Sequence, residues 1–136
     1  MPGCVLRAVG VTISVERFLQ GSQLRPCATF QKGESGSRAS RKGKRSKTSG
    51  MNVVVAEGDS LLVQIHHAMA FLKHHRRELM RLRRYPGVEL VCLDFGIAVS
   101  DEKVAYFVYL PPELLRLAGQ LDIGIELSRY VTTGHR

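Results

Sequence analysis

The run VELVCLDFGIAV at residues 88–99 is the longest apolar segment of the chain, and it constrains the fold more than any other feature. Side chains alternate between the two faces of a β-strand. One face of this segment therefore carries only large apolar residues, namely Val91, Leu93, Phe95, Ile97 and Val99. The other face is also mostly apolar, and strands of this kind are usually interior to their sheet. The pattern predicts a central strand covered by the long helix that precedes it.

Asp94 is the one charged residue in the middle of this run. An unpaired carboxylate in an apolar environment is costly, so we expect Asp94 to be hydrogen-bonded, paired with a cation or close to solvent. A structural role would have it hold a loop amide or an arginine, whereas a functional role would make it a site carboxylate. Glu126 would face the same side if the two strands are neighbours, and two nearby carboxylates can act as acid and base. The structural alternative is favoured for both residues.

The pattern of the remaining segments predicts a single α+β domain over residues 1–136. Further strands are predicted at residues 4–11, 28–31, 51–56, 104–110 and 122–130. The resulting order, β-α-β-β-α-β-β-α-β, is typical of a two-layer sandwich with a mixed or antiparallel sheet and one long and two short helices. A ferredoxin-like arrangement is one candidate for this order.

The long helix is predicted to begin at Asp59 or Ser60, either of which can cap it, and to end at Tyr85. Its apolar stripe consists of Leu61, Leu62, Ile65, Ala68, Met69, Leu72, Leu79 and Leu82. His75 falls on this stripe and is expected to be packed and hydrogen-bonded. The last short helix, which opens at Pro111 and Pro112, is expected to bury Leu114, Leu115 and Ala118.

The net charge of +8 is concentrated in two segments. Residues 32–48 and 60–84 contribute +6 and +5, so the rest of the chain sums to −3. Residues 34–50 contain no large apolar side chain, which predicts a mobile basic loop within the domain. This loop and the long helix supply the candidate contacts to an acidic protein or to nucleic acid. These candidates are Arg41, Lys42, Lys44, Arg45, Lys73, Arg76 and Arg77.

The common catalytic and metal-binding patterns are missing from the sequence. Cys4, Cys27 and Cys92 are too few and too widely spaced for a disulfide framework or a zinc knuckle. The paired histidines of the long helix lack the i, i+4 spacing that lets two ligands converge on one ion. No glycine-rich phosphate cradle or nucleophile elbow is found. We therefore predict no catalytic residues, no metal and no cofactor, in a cytoplasmic protein without a membrane span.

Several stretches of the sequence resemble an uncharacterised family of small bacterial proteins, known only as a domain of unknown function. These stretches are CVLRAVG, QKGE, TSGMNVVV, YPGVELVCLDFGI and PPELLRLAGQLDIGIELS, and the resemblance covers residues 4–130. It implies a compact bacterial protein with one α+β domain. It supplies no site residues, because the family has no assigned activity to transfer.

Three functions are compatible with these observations. The leading hypothesis is a non-enzymatic module that contacts another macromolecule with an acidic surface, inhibitor-like or immunity-like by analogy with other small solitary domains. The second is electrostatic binding of nucleic acid by the basic loop and helix. The third is a small enzyme or ligand binder that uses Asp94 and Glu126. The sequence leaves the oligomeric state open.

Overall fold

The computed structural model describes residues 3–33, 47–100 and 105–132. In these residues a five-stranded mixed sheet packs with four helices, which confirms the predicted α+β class. The strands are β1 (Gly3–Gly10), β2 (Ala28–Phe30), β3 (Ser49–Glu57), β4 (Leu90–Ser100) and β5 (Gly124–Thr132). The helices are α1 (Val15–Leu19), α2 (Leu61–His74), α3 (Arg76–Arg84) and α4 (Pro112–Gln120).

The strand order in the sheet is β2-β3-β1-β4-β5. β1 pairs antiparallel with β3 and with β4, whereas β5 is parallel to β4. β3 and β4 are therefore parallel strands with β1 between them, the split βαβ arrangement that ferredoxin-like folds also contain. β5 is a further parallel strand, reached through α4, the usual kind of connection between parallel neighbours. The predicted strand at residues 88–99 is confirmed as interior, although β1 takes the central position.

The core lies between one face of the sheet and the helix layer. The five apolar residues predicted on one face of β4 are all buried, and Leu93 lies opposite Leu6 of β1. Every helix contributes buried side chains to the same apolar cluster, among them Phe18 of α1, Leu72 of α2, Leu79 of α3 and Leu114 of α4. All four helices pack into this one cluster and so lie on the same side of the sheet. In the part of the chain that the structure describes, the opposite face of the sheet carries no helix.

The predicted long helix is divided into α2 and α3 at His75, where the backbone turns to φ −103° and ψ 23°. The cap at Ser60 is confirmed, because its hydroxyl oxygen accepts a hydrogen bond from the Val63 amide at 3.2 Å. The apolar stripe is interrupted between Leu72 and Leu79. Leu72 of α2 and Leu79 of α3 are both buried in the core, on either side of His75.

Two leucines that were predicted to be buried are exposed instead. The side chain of Leu62 is 81% exposed and that of Leu115 is 48% exposed. Each directly follows another leucine, Leu61 or Leu114, that packs into the core. Adjacent residues of an α-helix point about 100° apart, so only one member of each pair can face the sheet.

The predicted strand at residues 104–110 is wrong for the part that the structure describes, because residues 105–110 form neither helix nor strand. A strand that followed β4 after a short turn would have to pair beside it. β1 and β5 already occupy the two sides of β4. The segment leads instead into α4, and its Phe107 and Tyr109 side chains are 90% and 73% exposed.

Most of the predicted basic loop lies outside the described residues, and with it Arg41, Lys42, Lys44 and Arg45. At the end of that loop the prediction is wrong, because β3 begins at Ser49 and not at Met51. Ser49 pairs with Gly10 at the end of β1. Its hydroxyl oxygen also accepts a hydrogen bond from the Lys32 amide at 2.8 Å, which explains why a serine can begin this strand.

Candidate functional site

The helix-free face of the sheet carries a group of polar side chains near its centre. Arg7 of β1 lies opposite Asn52 of β3 and Cys92 of β4. Asp94 of β4 lies directly opposite Glu126 of β5, as the sequence predicts for neighbouring strands. Because paired residues point to the same side of a sheet, these side chains share one face. With Ser128, they form what we call the polar cluster: Arg7, Asn52, Cys92, Asp94, Glu126 and Ser128.

Arg7 is the residue that connects the polar cluster. Its Nη2 donates to Asp94 Oδ2 and its Nη1 donates to Glu126 Oε1, each at 3.3 Å. Its Nε donates to Asn52 Oδ1, also at 3.3 Å. One guanidinium group therefore contacts three strands, and its five donors in a fixed fork suit that geometry. In the sequence, Arg7 stands among the valines of the first predicted strand. A charged residue at such a position signals that its side chain has a partner in the folded protein.

Asp94 is 9% exposed, and its carboxylate accepts hydrogen bonds from two side chains. The Ser128 hydroxyl lies 2.7 Å from Oδ1 and 2.9 Å from Oδ2 of Asp94, and Arg7 completes the set. A buried carboxylate with an arginine and a hydroxyl as partners matches the structural alternative derived from the sequence. Glu126 differs, because its side chain is 54% exposed although it shares the same arginine.

Cys4 of β1 and Cys92 of β4 lie in surroundings that favour the neutral thiol. Burial raises the pKa of Cys4 to about 12, and the negative charge of Asp94 adds to this effect. Burial also raises the pKa of Cys92, whose Sγ lies 3.6 Å from Glu126 Oε1, while Arg7 acts in the opposite direction. Since the thiolate is the nucleophilic form, neither cysteine has the environment of a reactive thiol.

A second candidate site lies on the outward side of α3. Arg76, Arg77 and Arg84 are exposed, and among the described residues no salt bridge neutralises them. We call these three residues the α3 arginine surface. At 3.6 residues per turn they fall within about 100° of one another around the helix axis. Of the predicted binding residues, the structure therefore brings Arg76 and Arg77 together and adds Arg84 to them.

Lys73, which the sequence also places among the binding candidates, has a partner within the chain. Its Nζ lies 2.7 Å from Glu113 Oε2 of α4. The hydrogen bond and the positive charge of Lys73 hold the pKa of Glu113 below its ordinary value. An exposed ion pair of this kind contributes little to stability. Lys73 is thus partly neutralised, unlike the α3 arginine surface.

The other side of α3 is held against α1 by Arg81. Its guanidinium lies 4.1 Å from the centre of the Phe18 ring, and its Nη2 donates to the Phe18 carbonyl at 2.9 Å. The same group forms a salt bridge with Glu78 at 3.0 Å. Glu78 also accepts a hydrogen bond from the Ser22 hydroxyl. These contacts fix the orientation of α3 and so determine which of its arginines face outward.

This arrangement predicts a pH dependence of stability. Hydrogen bonds from Arg81 and then Ser22 lower the pKa of Glu78, while its burial opposes them. A lowered pKa gives stability that is present above about pH 4.5 and is lost as the pH falls through the folded-state pKa. We expect Glu78→Gln to cost about 1 kcal/mol at pH 7 and to flatten the loss of stability as the pH falls below about 4.5. Urea unfolding at several pH values measures both effects.

The Ser22→Ala variant is the matched control, because it removes only the weaker donor and leaves the Arg81 contact in place. It should reduce the loss of stability at low pH by less than Glu78→Gln does. Identical pH profiles for the wild type and Glu78→Gln would contradict the assignment.

The histidines do not form a metal site in residues 3–33, 47–100 and 105–132, where no group of three potential ligands converges. The ring of His75 packs against Phe71, with 4.6 Å between ring centres, as predicted. Its Nδ1 is buried without a hydrogen-bond partner within these ranges, so the predicted hydrogen bond is not found at that atom. Burial lowers the pKa of His75, and His74 lowers it further.

Gln64 is a buried polar residue of α2 that sequence reasoning missed. It is 0% exposed, and its Nε2 donates to the carbonyls of Gly58 at 3.0 Å and Gly96 at 2.9 Å. β1 pairs with β4 only as far as Phe95, so Gln64 satisfies a β4 carbonyl just beyond the end of β1. The sequence signal that could have revealed it is the position of Gln64 beside the apolar stripe of the predicted long helix.

The fold and these sites define a two-layer α+β protein with a polar cluster on the helix-free face of its sheet and exposed arginines on α3. A scan against models of protein families, a search of curated proteins and a search of solved structures each found no match. No helix in the described ranges is long and apolar enough to cross a lipid bilayer.

Proposed function

We propose that this chain is a non-enzymatic interaction module that binds an acidic protein surface through the α3 arginine surface. The observation that carries the proposal is that Arg76, Arg77 and Arg84 are exposed together. A guanidinium group presents a planar fork of donors that can engage a carboxylate through two parallel hydrogen bonds. Inhibitor-like or immunity-like proteins offer an analogy for a small domain of this kind.

The neighbouring contacts support a preformed surface. Arg81 and Glu78 hold α3 against α1, so the outward arginines are presented on a packed helix and not on a loose segment. Association with an acidic partner then costs less ordering of the backbone. Complementary charge would accelerate the encounter and make it sensitive to salt.

Nucleic-acid binding is the second candidate, favoured by the spacing along α3. Arg77 and Arg84 are seven residues apart, about 10 Å along the helix axis, so one helix face can reach more than one phosphate. Against it, α3 contains no aromatic residue on which a base could stack. We also propose that the protein is bacterial, from the resemblance to the uncharacterised family, and cytoplasmic, because its few, widely spaced cysteines suit a reducing compartment.

The test compares binding to two polyanions, poly-L-glutamate and a mixed-sequence DNA duplex, by fluorescence anisotropy at about 50 mM and about 200 mM salt. The variant is Arg76→Gln/Arg77→Gln/Arg84→Gln. We expect wild-type binding to poly-L-glutamate at low salt and a loss of at least about tenfold in affinity for the triple variant. For duplex DNA, losing three phosphate contacts would reduce the salt slope by about 2.7.

The matched control is Lys32→Gln/Arg116→Gln/Arg129→Gln, which removes the same charge from exposed positions outside α3. Equal losses in the two triple variants would mean that net charge alone drives binding and would contradict a specific role for α3. Binding to the DNA duplex but not to poly-L-glutamate would contradict the acidic-protein proposal and support nucleic-acid binding. No binding to either polyanion at low salt would contradict both.

A further inference from the structure

β5 is a long strand that has only one neighbour among the strands the structure describes. Its nine residues pair with β4 alone, and it forms one edge of the sheet. In the described part of the chain, no backbone hydrogen bond outside the β4 ladder involves this strand. The opposite edge, β2, is only three residues long. β5 therefore presents a row of unused amide and carbonyl groups, which is the template that another strand recognises.

The edge of β5 also lacks most of the features that keep sheet edges from pairing. It contains no proline and no lysine, and its register with β4 runs without a bulge. Three of its apolar side chains are about half exposed, namely Leu127 at 46%, Tyr130 at 43% and Val131 at 52%. Glu126 and Arg129 are charged, but a long, regular edge with exposed apolar side chains is normally paired or covered.

We propose that a second copy of this chain covers this edge, with the two β5 strands antiparallel about a two-fold axis at Leu127. The two sheets then join into one ten-stranded sheet. A two-fold axis perpendicular to the sheet places the helix layers of both copies on the same side. Residues that pair across such an axis are related symmetrically about Leu127, so Leu127 meets Leu127 of the second copy.

The side chains of β5 favour this register over two others. An axis at Glu126 or at Arg129 would place two like charges directly opposite each other, which is unfavourable. An axis at Leu127 instead places Glu126 opposite Ser128 of the second copy and Tyr130 opposite Gly124 of the second copy. An aromatic ring beside a strand glycine fills the space that the missing side chain leaves. The two half-exposed leucines at the axis bury each other.

Sedimentation velocity of the full chain over a range of concentrations tests the proposal. We expect a concentration-dependent dimer for the wild type. Leu127→Lys should weaken the dimer at least tenfold, because two lysines would meet at the axis. Its matched control is Leu62→Lys, which changes an even more exposed leucine on α2 and should leave the dimer intact. Circular dichroism verifies that both variants remain folded.

A disulfide experiment tests the register independently. In a Cys27→Ser background, which removes the exposed native thiol, Leu127→Cys should form a cross-linked dimer on mild oxidation. Facing residues of this kind have Cβ atoms about 5 Å apart. Val131→Cys should not cross-link, because symmetry places its two copies eight residues apart along the strands, or about 26 Å. A monomer at every concentration, a dimer unaffected by Leu127→Lys, or cross-linking through residue 131 would overturn the proposal.

Discussion

Replacing Asp94 with alanine is expected to lower the free energy of unfolding by about 2–3 kcal/mol. Asp94 is 9% exposed and accepts hydrogen bonds from both the Ser128 hydroxyl and the Arg7 guanidinium. Without the carboxylate, Ser128 loses its acceptor and Arg7 keeps only Glu126 and Asn52 as partners. The expected loss lies below that of a fully buried ion pair, because the Arg7 side chain is 31% exposed. Urea unfolding followed by circular dichroism measures the change.

The matched control for Asp94→Ala is Glu126→Gln, which neutralises the other carboxylate that Arg7 contacts. Its side chain is 54% exposed, so we expect a loss below about 1 kcal/mol. The Asp94→Asn variant separates a structural role from a chemical one, because it keeps the size of the side chain and removes its charge. If Asp94→Ala and Asp94→Asn both retain wild-type stability, the polar cluster is not structural. The ligand-binding alternative for Asp94 and Glu126 would then gain support.

The Gly10→Ala variant is expected to be destabilised by about 3 kcal/mol, at the upper end of the range for overpacking. A methyl group on Gly10 would lie 1.8 Å from the carbonyl oxygen of Gly87 and 3.3 Å from the amide nitrogen of Glu89. Both are backbone atoms, so no side chain can rotate away, and the end of β1 would have to separate from the turn before β4. The Glu89 amide donates to the Val9 carbonyl at 2.9 Å, and that bond would be strained or lost.

Gly119→Ala is the matched control for Gly10→Ala. Gly119 lies in α4, and a methyl group there would meet no atom within 4 Å apart from its chain neighbours and the backbone of its own helix. Alanine is the better helix former by about 1 kcal/mol, so this variant should be as stable as the wild type or more stable. Thermal and urea unfolding of the two variants provide the comparison. A Gly10→Ala protein with wild-type stability would show that the β1 end and the turn at Gly87 are not held as closely as the structure describes.

The polar cluster shows how much of a candidate site can be predicted from the sequence. Alternation along the strands places Asp94 and Glu126 on the face away from the core, and the prediction that they meet required only that β4 and β5 be neighbours. That condition is met. The identity of the cation could not be predicted in the same way. Arg7 contacts residues that are 45, 87 and 119 positions away, and nothing local to any of them selects it.

The α3 arginine surface illustrates a different limit. Charge counting marks the segment as basic, yet it does not separate Arg81, which packs on Phe18 and pairs with Glu78, from Arg84, which forms no salt bridge among the described residues. That distinction depends on where α1 lies. The break of the predicted long helix at His75 has the same origin, since a helical pattern is continuous in sequence while the packing of the two halves is decided by the core.

The sequence by itself determined the α+β class, the interior position of β4 and the local concentrations of charge. These properties depend on the periodicity of apolar residues and on composition, both of which act over a few neighbouring residues. Only the tertiary structure decided that residues 105–110 form no strand, that Arg7 joins two carboxylates and that β5 lies at the edge of the described sheet. Each of these depends on which strands become neighbours, and strand pairing is set by contacts between residues far apart in the chain.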